Sequence, residues 1–490
     1  MTNKVILVAG ASGYIGRGLV PCLLEKGYRV RCLTRAVERL QGFAWSSLVE
    51  IRQVDVVTGQ YLEEAMEGVT AAYYLIHSMA SGKGYHERDT SAARNFSTAA
   101  RQAGVEHIIY LGGLADPSES IGHHLRSRIE TGEALRQGGV RVTEFRAGVI
   151  VGPGSISFEM IRYLTEQLPI LFGPRWLHHR AQPIAIQDVL AYLLTALETP
   201  ASRGRIFEIG GADVMSYAET MLGYARVRGL RRRLQVFPRV PILLMAYGMD
   251  WLTPVPFSIA SPLIDGMRSD SIVRNEAASQ IFPNIRPLGY SQAISIALAR
   301  LSPSHIQSLI QGAQKHMRLI RMEGFLIDYR QIQVEVEPDE VFKELIRLGG
   351  EQGWRYFNWV WRIRGRLDRW WGGPGMQEEI RGTKIEIGDF VDFYRVEALE
   401  ADRLLRFRAE LKSPGEGWME WNVKAEGPQS TMLVQKAFFA PNGVAGYLSW
   451  YLLYPFHAWL FGGHARGIAH RTIQEGVEIK RQILRRGIDE

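Results

Sequence analysis

The chain has 490 residues, 46% of them hydrophobic, and a formal net charge of +7 at neutral pH. That length predicts two or three domains, and the apolar content supplies real cores for them. The charge is modest for the size and no nucleic-acid-binding module is visible, so no nucleic-acid partner is expected. The two cysteines, Cys22 and Cys32, suit buried thiols in a reducing compartment better than a disulfide. No cysteine–histidine spacing suggests a metal site.

In chain order, the first 150 residues alternate between two periodicities. Strands are predicted at 4–9, 28–33, 49–54, 71–76, 106–111 and 142–147, with helices near 14–26, 60–67, 88–103 and 124–137. Such alternation predicts an α/β fold, a doubly wound parallel sheet with helices on both faces. Ligands bind such sheets beyond the carboxyl ends of the strands.

The first strand runs into VILVAGASGYIG, residues 5–16, with glycines at Gly10, Gly13 and Gly16. Apolar residues at helical spacing follow, namely Ile15, Leu19 and Leu23. A glycine turn between a strand and a helix start lets a pyrophosphate approach the backbone and sit on the helix N-terminus. A dinucleotide is therefore expected. The second strand ends in Thr34 and Arg35, where an acidic residue would hold the ribose 2′-hydroxyl of NAD. An arginine there suits a 2′-phosphate, so NADP is favoured over NAD. Asp55, after the third strand, either meets the adenine edge or caps a turn.

Residues 150–300 carry helical patterns at 158–167, 187–198 and 216–227 and a short strand at 205–209. This half is expected to build the substrate side of the cleft. The apolar segment 238–264 is interrupted by Pro241, Pro254, Pro256 and Pro262. It reads as a lid, an interfacial hairpin or a buried loop-helix, and not as a membrane span. A polar, basic stretch at 301–325 is read as the linker between a domain at 1–300 and another at 326–490. The second domain opens with a strand at 328–336 and a helix at 339–348. Alternating strands follow at 389–398, 403–412, 417–425 and 430–439, and then a helix at 464–486. This order predicts an α+β helix-grip-like domain, a curved antiparallel sheet wrapped around a helix.

Two basic clusters stand out. One is Arg228, Arg231, Arg232 and Arg233. The other is Arg362, Arg364, Arg366 and Arg369, interleaved with Trp359, Trp361, Trp370 and Trp371. Such a mixture is read as a solvated face over a packed aromatic core, with anionic lipid headgroups or nucleic acid as the functional alternatives. No Asp, Glu, Lys or Arg occurs from Ala437 to Ala465. Three readings stay open for its core, 444–463: a helix buried in the second domain, a peripheral membrane contact, or a span. Because the chain starts almost directly with a core strand, no signal peptide is expected. The expected location is the cytoplasm, at the inner face of the cell membrane.

GASGYIG and the arginine that follows, with AYYLIHSM (72–79), AARQAGVEHIIYLGGL (99–114) and FRAGVIVGPGS (145–155), resemble the atypical short-chain dehydrogenase/reductases. The nearest branches are the NmrA-like and complex I accessory-subunit-like proteins. SFEMIRYLTEQLP (157–169) and QPIAIQDV (182–189) extend the resemblance. EGWMEWNV (416–423) and YLLYPFHAWLFGG (451–463) are similar to a C-terminal domain of unknown function thought to be START-like. The resemblance implies a cofactor set of Gly10, Ser12, Gly13, Tyr14, Ile15, Gly16, Arg35, Asp55, Ile76, His77 and Arg128.

Enzymes of this group use a serine after the fifth strand and a YxxxK pair on the next helix. Here the strand leads into Gly112 and Gly113, and the helix reads HHLRSR. His124 stands in the tyrosine position, as the candidate catalytic acid, and Arg128 in the lysine position. The neighbouring arginine would keep His124 mostly neutral. Tyr85, Tyr110 and Tyr163 are candidates for a displaced hydroxyl. His178 and His179, adjacent in sequence, point apart and make a poor joint site. The leading expectation is an NADP-dependent oxidoreductase acting on a small apolar or membrane-derived substrate. The alternative is a catalytically degenerate NADP(H) sensor or a membrane-associated structural protein.

Overall fold

A computed structural model describes residues 4–77, 85–116, 121–237, 241–253, 255–301, 303, 306, 319–348, 363, 366, 369, 370, 377–379 and 385–486. The chain forms two compact units, Met1–Gln314 and Lys315–Glu490.

In the first unit the strands are β1 (Val5–Ala9), β2 (Arg29–Thr34), β3 (Glu50–Gln53), β4 (Val69–Tyr74), β5 (His107–Gly113) and β6 (Arg141–Ala147). Two further strands are β7 (Ile170–Pro174) and β8 (Ile206–Ile209). Seven of them form one sheet in the order β8-β6-β5-β4-β1-β2-β3, and every pairing is parallel. The helices are α1 (Tyr14–Glu25), α2 (Leu62–Met66), α3 (Tyr85–Gln102), α4 (His123–Gln137), α5 (Ile156–Gln167), α6 (Ile186–Ala196) and α7 (Tyr217–Val227).

Side chains alternate along a strand, so each strand feeds two layers. Ile6 and Val8 pack with Leu19 and Leu23 of α1 and with Val189 and Leu193 of α6. Leu7 and Ala9 pack on the other face with Met66 of α2, Phe96 of α3 and Leu135 of α4. Burial on both faces explains why the central strands β1 and β4 read as continuous apolar runs, while the edge strand β3 does not. The strand order reverses between β1 and β4, which opens a crevice at their carboxyl ends.

The described residues of the interrupted segment 238–264 fold as two helices, α8 (Ile242–Leu252) and α9 (Phe257–Gly266), and α10 (Tyr290–Ala299) follows them. Pro241 precedes the first, and Pro256 is the N-cap of the second, where a missing N–H costs nothing. Ala246, Ala260 and Ile264 are buried against Met160 of α5. Strand β9 (Arg233–Phe237) runs parallel to β7 as a separate ribbon. Of the first basic cluster, Arg228 holds Glu166 at 2.9 Å and Arg232 bonds the Thr165 carbonyl at 2.6 Å, closing the end of α5. Arg231 and Arg233 stay exposed.

The second unit contains β10 (Leu319–Met322), β11 (Phe325–Val334), α11 (Pro338–Leu345), β12 (Gln377–Glu379), β13 (Phe390–Asp392), β14 (Tyr394–Glu400), β15 (Leu404–Ala409), β16 (Gly415–Gly427), β17 (Ser430–Pro441) and α12 (Gly443–Arg486). Its antiparallel sheet has the order β10-β11-β17-β16-β15-β14-β13-β12. Strand β10 thus occupies part of the segment read as a linker. Trp421, Phe407 and Leu405 fill the core with Val341 of α11 and Phe461 and Ile468 of α12. Within it, the Trp421 indole N–H donates to Gln435 at 3.1 Å, and the Gln435 amide donates to the Phe461 carbonyl at 3.0 Å. The Trp359–Trp371 cluster lies largely outside the described residues.

The uncharged run from Ala437 is shared between two elements. Its first residues end β17, and the rest open α12 twenty-one residues before the predicted helix. One face of α12 is buried through Tyr447, Trp450, Leu460 and Phe461, while Leu448, Leu452 and Phe456 are exposed. Among the described residues, no helix is long and apolar enough to cross a membrane.

Candidate functional site

The crevice begins where β1 turns into α1. Gly10 has φ +94°, in the left-handed region, and a Cβ there would lie 2.8 Å from the Leu75 carbonyl carbon. Both constraints select glycine. A Cβ on Gly16 would meet the Gly10 carbonyl oxygen at 2.3 Å, so this third glycine packs the helix onto the turn. Gly13 is the N-cap of α1, with no side-chain cap and no acidic residue in the first turn. A helix leaves its first N–H groups without intrahelical partners. That bare, electropositive end fits a diphosphate.

A cavity of about 290 Å³ lies against this turn. Gly10, Ser12, Gly13, Arg35, Asp55, Ile76 and His77 all line it, as does Arg39, which sequence reasoning missed. Arg39 lies just past the strand end, so its spacing from Arg35 was the available signal. Both arginines are exposed at the lip of the cavity, where they suit a 2′-phosphate. Asp55 uses Oδ1 to accept the Val57 amide at 3.0 Å, so it does cap a turn.

A second cavity, about 380 Å³, is lined by Tyr14, Ile15, His77, His124 and Arg128 and by a largely apolar wall. That wall includes Met160, Ile161 and Leu164 of α5, Trp176, Met245 of α8 and Leu263 of α9. Leu75 and His77 line both cavities and mark their junction. Of the sequence-predicted set, only Gly16 lines neither.

At the junction three side chains form a chain of hydrogen bonds. His77 Nδ1 lies 2.8 Å from Asp89 Oδ2, and His77 Nε2 lies 3.2 Å from His124 Nδ1. Asp89, on α3, is buried. An ionised carboxylate only accepts, so His77 donates from Nδ1 and accepts at Nε2. His124 then donates from Nδ1, which leaves its Nε2 as an acceptor. Burial, then His77, then Arg128 push the His124 pKa down to about 3. Burial also lowers His77, with Asp89 opposing and Arg128 adding to the fall. Asp89 and its distance of twelve residues from His77 carry no sequence signal.

Arg128 bonds the Leu111 carbonyl, and its guanidinium sits 5.1 Å over the Tyr110 ring. It thereby docks α4 on the end of β5. A Cβ on Gly113, at the expected serine position, would come 2.9 Å from a terminal methyl of Leu125 of α4. The Tyr110 hydroxyl is spent on the Arg128 carbonyl at 2.8 Å, and burial first raises its pKa to about 12. Tyr163 is buried and does not line the cavity. The Tyr85 side chain lies outside the described residues. His179 pairs with Asp270 at 3.3 Å while His178 is exposed, and no metal-binding cluster occurs among the described residues.

A parallel sheet with a glycine turn at its switch point defines a Rossmann-type NAD(P)-binding domain. Residues 2–169 match the NmrA-like family, and residues 324–464 match a protein family of unknown function (DUF2867). The N-terminal domain is thus NmrA-like, NAD(P)-binding and of the short-chain dehydrogenase/reductase type. A ceramide reductase of Caulobacter vibrioides is 27% identical over 49% of this chain and 75% of its own. Subunit 9 of the NADH dehydrogenase 1 alpha subcomplex of Dictyostelium discoideum is 28% identical over 44% of this chain and 62% of its own. An NADPH-dependent quinone oxidoreductase of Escherichia coli, solved with NADPH, is 18% identical, with a TM-score of 0.49, over 60% of this chain and 99% of its own.

Proposed function

We propose that the protein is an NADPH-dependent reductase of an apolar carbonyl compound. The observation that carries this reading is the apolar cavity that joins the dinucleotide crevice at His77. The name of the Caulobacter relative, a ceramide reductase, supports a lipid-derived substrate. Arg35 and Arg39 support NADP over NAD, because no acidic residue ends β2.

NADPH supplies a hydride when bound. The chain's own residues bind, orient and move a proton. Gly10, Gly13 and the α1 N-terminus hold the diphosphate, Ile76 and Asp55 wall the adenosine side, and Arg128 braces the helix that carries His124. The relay Asp89–His77–His124 answers the difficulty that His124 itself is a weak proton store. One proton added to the network rests on His77, whose two N–H groups then face Asp89 and His124. His124 stays neutral with its proton on Nε2, turned towards the substrate oxygen. When that oxygen takes the Nε2 proton, His77 passes its Nε2 proton to His124 Nδ1. Atoms balance: one hydride and one proton reduce C=O to an alcohol, and the relay returns to its neutral state.

The second unit we read as START-like, supported by its antiparallel sheet and the long helix α12 packed on one face. Its exposed apolar face within 444–463 is our proposal for a peripheral membrane contact at the inner face of the cell membrane.

The test is to titrate the full-length protein with NADPH and with NADH by fluorescence, then to follow NADPH oxidation with quinones, lipid aldehydes and long-chain ketones. Tighter binding of NADPH and turnover of at least one long-chain carbonyl are expected, with turnover lost and binding kept in His124→Ala. Absence of dinucleotide binding sinks the reading. Binding without any turnover favours an NADP(H) sensor or a structural protein instead, for which Gly112 and Gly113 in place of a serine speak.

A further inference from the structure

The apolar cavity reaches the surface beside an apolar face. On α8, Leu243, Leu244 and Tyr247 are 61%, 65% and 62% exposed. The same helix turns Ala246 inward and sends Met245 into the cavity wall. Phe172 on β7 is 57% exposed and also lines the cavity. Its ring lies 6.0 Å from that of Phe237, an exposed residue at the end of β9. The helix therefore has one side on the cavity and the other in water, and the β7–β9 ribbon meets the same cavity through Phe172. Exposed large side chains gathered at the mouth of a ligand cavity are more than the scatter normal to a surface.

The same ribbon carries exposed arginines. Arg231 precedes β9, Arg233 is its first residue, and Arg175 follows β7 directly. Asp250 is the acidic residue of α8, and its carboxylate accepts the Phe257 amide at 3.3 Å, capping α9. Large apolar groups flanked by arginines suit a surface that is oily within and anionic outside. Such helices lie in the plane of a bilayer, with the apolar side in the headgroup–acyl boundary and the cations at phosphate level.

We infer that this face docks the protein on an anionic lipid bilayer, so that an apolar substrate passes from the acyl region into the cavity without crossing water. A second copy of the chain fits less well. A two-fold interface would set the patch against itself and bring arginine against arginine. The inference rests on the apolar-substrate reading for what enters the cavity, but docking itself needs no turnover. Its failure is therefore separable from failure of the reductase assignment.

The experiment is co-sedimentation of the full-length protein with vesicles of phosphatidylcholine alone or mixed with phosphatidylglycerol, at low and high salt. Binding to the mixed vesicles, weakened by salt, is expected. Leu243→Ser/Leu244→Ser should weaken it by at least about tenfold. Arg231→Ala/Arg233→Ala should weaken it about 25-fold, at about fivefold per cation. NADPH affinity should stay at the wild-type value in both, which reports an intact fold. Leu448→Ser/Leu452→Ser on α12 is the companion variant. The inference is overturned if wild-type protein ignores anionic vesicles, if both first-unit variants bind as wild type, or if binding falls only in the α12 variant. It is also overturned if light scattering shows a dimer that the leucine variant dissolves, which would assign the face to a second copy.

Discussion

Replacing Asp89 by asparagine tests the proton relay at its far end, away from the substrate. The carboxylate is buried and accepts the His77 Nδ1 proton at 2.8 Å. Asparagine keeps the shape and a hydrogen bond but removes the negative charge. Hydrogen bonds to charged groups are worth about 1.5–3 kcal/mol, and about 1.4 kcal/mol corresponds to a factor of ten. The proton-loaded relay should therefore become about 10–100-fold rarer at a fixed pH. Its sign with pH follows from His77, whose pKa lies below the ordinary histidine value because burial outweighs the help from Asp89. Near neutral pH the loaded form is the minor one, so the reduction rate should rise as pH falls towards that pKa. In Asp89→Asn the rate at neutral pH should drop by about 10–100-fold, and the rise should move to lower pH. Among the described residues, Asp89 on α3 and His124 and Arg128 on α4 face His77. Single-turnover NADPH oxidation across pH reads both effects, with the NADPH Kd as the check on folding. An unchanged pH profile, with or without a lower rate, would refute the relay.

Gly10→Ala should abolish tight NADPH binding while leaving the second unit folded. The left-handed φ costs about 1–2 kcal/mol and the new Cβ would press on the Leu75 carbonyl, so a Kd rise of at least about tenfold is expected in a fluorescence titration. Arg35→Glu with Arg39→Glu should reverse the dinucleotide preference, weakening NADPH by well over about tenfold while NADH is held as well or better. Equal losses for both cofactors would show that these arginines do not meet the 2′-phosphate.

Much of the first unit was legible because burial on both faces of a parallel sheet writes itself as apolar runs, and each amphipathic helix between them repeats at 3.6 residues. Strands β1, β4 and β5 were visible in that way, whereas the edge strand β3, Glu50–Gln53, is only partly buried and reads as a mixed apolar and polar stretch. Cofactor residues close to that turn, such as Ser12 and Gly13, follow from local geometry, which a short motif carries. Segment 238–264 was ambiguous because its proline spacing fits a broken loop as well as two capped helices. The start of α12 was misplaced for a related reason. Neither Ala437–Pro441 nor the first part of the helix after it, up to Ala465, contains Asp, Glu, Lys or Arg, so hydropathy does not mark where the strand ends.

By itself, then, the sequence determined a dinucleotide crevice, the arginine at its lip and the loss of the usual serine and tyrosine, all of them properties of residues near one another in the chain. Only the tertiary structure decided that Asp89, His77 and His124 form one network, since hydrogen bonds between three separate elements leave no periodic trace. It alone brought Met160, Trp176, Met245 and Leu263 around one cavity beside the crevice. Apolar residues look the same in a sequence whether they close a core or line a pocket, and the difference is made by how far apart the packed elements stand.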